Sequence, residues 1–180
     1  TLGGANGGNY YITSPTIGTG SITPANFTAL KGTKTYDGTN QFSNINLTGV
    51  NGETFAVANA TSNSANVSSH PENAAQKFST ANGVSEVAGS LGKTSNYNAL
   101  DLKNLKSNEA TVTPADFTSI KGSKEYDGNS SFQQALITGV NSETFNVSAE
   151  ANSKNASSNS VNPARRFDRV IGGLVAAEES

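Results

Sequence analysis

Apolar residues in this chain come in short bursts with a period of two. Ile45 and Leu47 alternate with Asn44, Asn46 and Thr48, and Phe55 and Val57 follow the same rhythm a few residues on. That spacing turns one face of an extended backbone to a core and the other to water, so it predicts strands. Between the bursts stand Gly49-Val50-Asn51-Gly52, residue types that tolerate positive φ and predict a hairpin connection. The whole arrangement returns later as Ala135 and Ile137, then Gly139-Val140-Asn141-Ser142, then Phe145 and Val147.

The return is a duplication at an offset of 90. Lys31-Gly32-Thr33-Lys34-Thr35-Tyr36-Asp37-Gly38 comes back as Lys121-Gly122-Ser123-Lys124-Glu125-Tyr126-Asp127-Gly128, and 20 of the 37 positions from Ser21 to Val57 are identical in Thr111 to Val147. A repeat of this kind defines the building unit before any residue is given a role. Asn9-Tyr10-Tyr11-Ile12 followed by Ser21-Ile22-Thr23-Pro24 is echoed by Asn96-Tyr97-Asn98-Ala99 followed by Thr111-Val112-Thr113-Pro114. The boundaries that follow are 1–21 as the end of a preceding repeat, 22–112 as a complete unit, and 113–180 as a second, shortened unit with an atypical tail. The Thr-Pro pairs read as seams, because proline cannot donate to a central ladder and biases the residue before it towards extended backbone.

The predicted fold class is therefore mainly β: tandem small antiparallel modules, either β-grasp-like or immunoglobulin-like. One short helix per module is the exception that the pattern allows. Asn162-Pro163 offer a cap and a first-turn proline ahead of Ala164, Phe167 and Val170 or Ile171, and Ser69, Pro71 and Glu72 stand similarly before Ala74, Ala75 and Phe78.

Composition narrows the chemistry. With 34% hydrophobic residues and no Trp, Met or Cys, each core is thin and built from Val, Ile, Leu, Phe and Tyr. The lack of cysteine removes disulfides, zinc–thiolate sites and thiol nucleophiles together. A formal charge of -2 provides no basic patch for a phosphate backbone, so nucleic acid is not an expected partner. No apolar run approaches the roughly 20 residues of a membrane-spanning helix.

Tyr36 and Asp37, with their copies Tyr126 and Asp127, are the candidate ligand-binding residues. An aspartate beside a tyrosine suits calcium or a sugar, while Asp-Gly is equally a turn pair and a tyrosine equally a cover for a thin core. Lys34 and Lys124 read as shields of a strand edge. Asp37 with Glu53, and Asp127 with Glu143, are the acidic pairs kept in register. A glycosidase would need two carboxyls roughly 5–9.5 Å apart, but a small module without an insert to build a cleft points to surface carboxylates, and no catalytic residue is assigned. His70, the sole histidine, has no counterpart in the second copy, which removes a repeated His-dependent site. The glycine-rich run Gly3 to Gly8 lacks the Lys-Ser/Thr of a phosphate loop. No cofactor or metal is expected. Asn26, Asn46, Asn59, Asn66, Asn129, Asn146 and Asn155 each begin an Asn-X-Ser/Thr sequon, a density that matters on an exported protein.

Taken in order, Ile22-Thr23-Pro24, Lys34 to Gly38, Thr48-Gly49-Val50, Asn96-Tyr97 and Val112-Thr113-Pro114 resemble the YDG-type repeats of large secreted bacterial adhesins of the filamentous-haemagglutinin, two-partner-secretion kind. The likeness covers residues 9 to about 147. It implies a secreted or outer-membrane-associated cell-surface protein of adhesion and virulence, in which many modules form a stalk and the sequons are glycosylation candidates. Its implied partners are neighbouring repeats of the same chain and, for a module that itself binds, a host glycan or protein. A carbohydrate-active enzyme built on Asp37 and Glu53 is the outsider. The tail from Arg165 to Ser180 departs from the closing strands expected of such a repeat. The leading Asn-Tyr element, set against a later unit that lacks one, also predicts pairing between neighbouring molecules.

Overall fold

The computed structural model describes residues 4–5, 9, 18–43, 45–69, 76–156, 166–173 and 175–176. The regular elements among them are strands: β1 Ala29–Thr35, β2 Gln41–Phe42, β3 Ile45–Thr48, β4 Thr54–Ser62, β5 Phe78–Glu86, β6 Ser107–Thr113, β7 Ser119–Lys121, β8 Ser131–Thr138, β9 Thr144–Ala151, β10 Phe167–Val170 and β11 Val175–Ala176. The protein is mainly β, as the alternation predicts.

The hairpins form where Gly and Asn stand. A single 3-10 turn over Val50–Gly52 joins β3 to β4, with Asn51 at φ 56° and Gly52 at φ 77°, and it sets Leu47 opposite Phe55. The copy over Val140–Ser142 sets Ile137 opposite Phe145 in the same way, with Asn141 at φ 55°. Period-two side chains then bury on one face, and Leu47, Phe55 and Val57 all point into the first core.

The strands make two sheets. One runs β2-β4-β3-β1-β6 with β5 also on β4, and the other runs β10-β9-β8-β7 with β11 also on β9. Their apolar clusters are separate and unequal. The first gathers Phe27, Leu30, Phe42, Leu47, Phe55 and Phe78 with Tyr97, Ala110 and Val112. The second is held by Ala135, Ile137, Val147 and Ala149, with Ile120, Phe132 and Phe167 partly buried against it. The difference traces to β6 and the Asn-Tyr segment before it, which bring Tyr97, Ala110 and Val112 to the first cluster alone.

Two expectations need correction. The first sheet is not wholly antiparallel, since β6 lies parallel to β1 along its full length, from Ala29 opposite Ser107 to Thr35 opposite Thr113. The short helices are not found among the described residues. Phe78 opens β5 and Phe167 opens β10, where each ring packs edge-on against a phenylalanine of another strand paired with the same neighbour, Phe42 of β2 and Phe132 of β8, at centroid separations of 5.1 and 5.0 Å. Ladder bonds to β4 and β9 therefore claim the backbone that a helical stripe would have needed. The proposed caps at 70–75 and 162–165 lie outside the described residues. The described part of the tail adds two strands to β9. Ala176 sits opposite Phe145 as Glu86 sits opposite Phe55, and both strands carry a register shift at the phenylalanine end, so β10 and β11 together repeat β5.

Candidate functional site

The repeated Lys-X-Tyr-Asp-Gly segment folds as a turn held from within by its lysine. Lys34 Nζ donates to Asp37 Oδ1 at 2.5 Å, to the Thr39 carbonyl at 2.7 Å and to the Gln41 carbonyl at 2.9 Å. The same Asp37 oxygen accepts the Thr39 amide and hydroxyl, both at 2.9 Å. The ammonium also stands 5.3 Å from the centre of the Phe42 ring. The copy matches bond for bond: Lys124 Nζ reaches Asp127 Oδ1 at 2.7 Å, the Asn129 carbonyl at 3.0 Å and the Ser131 carbonyl at 2.8 Å, over the Phe132 ring at 5.2 Å. The lysine hydrogen bond lowers the pKa of Asp37 and of Asp127 below the ordinary carboxylate range. Both candidate aspartates thus spend an oxygen on the turn, and the lysines anchor that turn rather than guarding an edge.

The tyrosines part company. Tyr36 donates its hydroxyl to Glu143 Oε1 at 2.5 Å, crossing from the first repeat to the turn of the second, while its amide donates to the Thr113 carbonyl at 2.8 Å. That bond to Glu143 is the first cause of the raised Tyr36 pKa, followed by burial. Beside it, a side chain on Gly38 would overlap the amide of Asn141, so the second repeat's turn is seated directly on the first repeat's glycine. Tyr126, the copy of Tyr36, is 67% exposed, and Gly128 has open space around it.

Glu53, the copy of Glu143, has a different partner. Tyr97 donates its hydroxyl to Glu53 Oε2 and accepts the Val50 amide at 2.8 Å. Its ring stacks on Phe27 at 4.6 Å and meets Phe55 edge-on at 5.0 Å, and Ala25 forms a parallel bridge with it. Burial, then the Glu53 bond, raises its pKa. Asp37 and Glu53 therefore belong to separate hydrogen-bond networks, as do Asp127 and Glu143.

Among the described residues, clefts open on the second sheet, two of them beside the repeated motif. The smaller, about 120 Å³, lies at the seam between Tyr36, Phe117, Gly139, Val140, Glu143 and Phe145. The larger, about 270 Å³, lies along Gly122, Lys124, Tyr126, Asn129, Phe132 and Lys154. Of the candidate ligand-binding residues, Tyr36 lines the first cleft and Tyr126 the second.

Among the sequon asparagines, Asn26, Asn46, Asn59, Asn66, Asn129 and Asn155 are exposed and Asn146 is half-buried. Asn129 Oδ1 is engaged by Lys124 and by the Ser131 amide. His70 lies outside the described residues. Among the described residues no group of three or more His, Cys, Asp or Glu side chains is placed to hold a metal ion, and no helix is long and apolar enough to cross a membrane.

No family model, curated protein or solved structure matches the chain.

Sequence reasoning passed over Glu143 as a joint residue and Lys34 as a turn anchor. A signal was present for both. Lys34, Tyr36, Asp37 and Gly38 are kept in the copy while Thr33, Thr35 and Thr39 change, and Glu53 is kept while Gly52 beside it becomes Ser142.

Proposed function

We propose that the chain is a spacer segment of a secreted or cell-surface bacterial adhesin, with no catalytic role of its own. The reading rests on the resemblance of its repeats and on one observation: the tyrosine of the repeated Tyr-Asp-Gly turn bonds the glutamate of the next repeat, Tyr36 to Glu143. A residue that joins successive units is what a stalk requires, since length comes from stacking identical joints. The repeated lysine and aspartate are occupied in the same turn, leaving shape as the property that the duplication preserves.

A second reading has one observation in its favour. Tyr126 is largely exposed beside the larger cleft, and an exposed aromatic ring at a polar cleft suits a sugar face. An array of immobilised glycans separates the two. A spacer shows no saturable binding; saturable binding that is lost in Tyr126→Ala supports recognition by this repeat and overturns the spacer reading.

A further inference from the structure

The first repeat is entered and left through neighbouring strands that run the same way. The chain comes in past Pro24 to β1, Ala29–Thr35, and goes out along β6, Ser107–Thr113, to Pro114. The two strands pair in parallel along their whole length, from Ala29 opposite Ser107 to Thr35 opposite Thr113. Entry and exit therefore lie at opposite ends of the pair, about 20 Å apart at the rise of a parallel strand.

That arrangement decides how the repeat answers a pull. Tension in the chain draws β1 towards its first residue and β6 towards its last, so the two must slide past each other. The evenly spaced bonds between them run across that motion, and the ladder has to yield as a group. Two strands drawn apart from the same end would instead give up their pairs one after another.

The pair is fastened beyond the ladder as well. At the entry, the Ala25 amide donates to the Asn96 carbonyl at 2.9 Å, the Asn98 amide to the Ala25 carbonyl at 2.8 Å and the Lys106 amide to the Thr28 carbonyl at 2.9 Å. At the exit, the Thr113 carbonyl accepts the Tyr36 amide at 2.8 Å and the Thr113 hydroxyl donates to the Lys34 carbonyl at 3.3 Å. β3 holds the far edge of β1, from Ala29 opposite Thr48 to Gly32 opposite Ile45. The far edge of β6 is held largely by side chains. Ser68 Oγ accepts the Val112 amide at 2.8 Å, and Asn108 bonds both polar groups of the Phe78 backbone, its Oδ1 accepting the amide at 2.8 Å and its Nδ2 donating to the carbonyl at 3.0 Å. Sliding would also drag Leu30, Ala110 and Val112, none more than 3% exposed, through a packed core.

We propose that the first repeat is a mechanical element, its parallel β1–β6 pair resisting tension carried along the chain. Resistance of this kind belongs to the unfolding barrier and depends on direction, so equilibrium melting does not report it. The use of that strength in a stalk rests on the spacer reading; the directional resistance itself does not.

Single-molecule pulling on full-length variants tests it. The chain has no cysteine, so two introduced cysteines are unique attachment points. Ile22→Cys with Asp116→Cys places exposed handles before β1 and after β6 and pulls along the pair. Ile22→Cys with Lys106→Cys places exposed handles at the first ends of both strands, and Thr35→Cys with Asp116→Cys at their last ends, so both pull across it. At one loading rate the first repeat should unfold along the pair at a force about twofold or more above that of either crosswise variant. The two crosswise arrangements differ in every substituted position, so a low force in both cannot come from one destabilising change. Equal forces in the two directions, or a larger force across the pair, overturn the proposal and leave the spacer reading in place. Saturable glycan binding would do the reverse, removing the spacer reading while the difference in force stands.

Discussion

Lys34 does more for this fold than a surface lysine ordinarily does. Its side chain is only 12% exposed and its ammonium satisfies two backbone carbonyls as well as Asp37. Removing it leaves those exposed acceptors to water, and a lost hydrogen bond to a charged group costs about 1.5–3 kcal/mol. Lys34→Ala is accordingly expected to lower the stability of the first repeat by about 2 kcal/mol in denaturant unfolding, and Lys124→Ala, whose lysine is 23% exposed, to lower that of the second by less. The aspartates add an acid dependence. Because their folded pKa lies below the unfolded value, their contribution is complete above about pH 4 and is lost as pH falls through the depressed folded value. Acid titration of Asp37→Asn should lack the part of that loss which belongs to the first turn.

At the scale of elements, the legible parts were those with a local cause. The β3–β4 and β8–β9 hairpins follow from alternation flanking Gly and Asn, and both could be read from residues 45–57 and their copy. The partners of β1 could not. Ala110 and Val112 alternate as any strand would, and nothing in Ser107–Thr113 says that it runs parallel to a strand some 78 residues earlier. Phe167 misled for a related reason: Asn-Pro and a three- to four-residue apolar spacing fit a first helical turn, but the ladder to β9 and the contact with Phe132 decide the conformation. The site shows the same division. Asp-Gly as a turn pair was readable, whereas the bond from Tyr36 to Glu143 spans 107 residues and has no local signature. Placing a charge at one strand position in each copy of the motif tests the assignment of β6. Val112→Asp buries an unpaired carboxylate and should cost the first repeat more than about 3 kcal/mol. Ile22→Asp, at the same place in the motif but on an exposed residue, should leave melting unchanged.

The described residues form two unequal repeats that meet at a seam, the first covered by β6 and Tyr97 and the second with β7 at the edge of its sheet. Coupling runs through the Tyr36 hydroxyl, so Tyr36→Phe should separate the thermal unfolding of the two repeats into resolved transitions in calorimetry. Raising the pH acts in the same direction. A tyrosine whose folded pKa is raised stabilises the joint fully below its unfolded value near 10, and that contribution is lost as pH climbs through the higher folded value. Amide hydrogen exchange on the chain is the most direct test that β6 covers the motif strand of the first repeat while its copy lies at a sheet edge. Residues 31–35, paired on both sides or covered by β6, should exchange many times more slowly than their counterparts 121–125. Equal protection of the two segments would contradict the account.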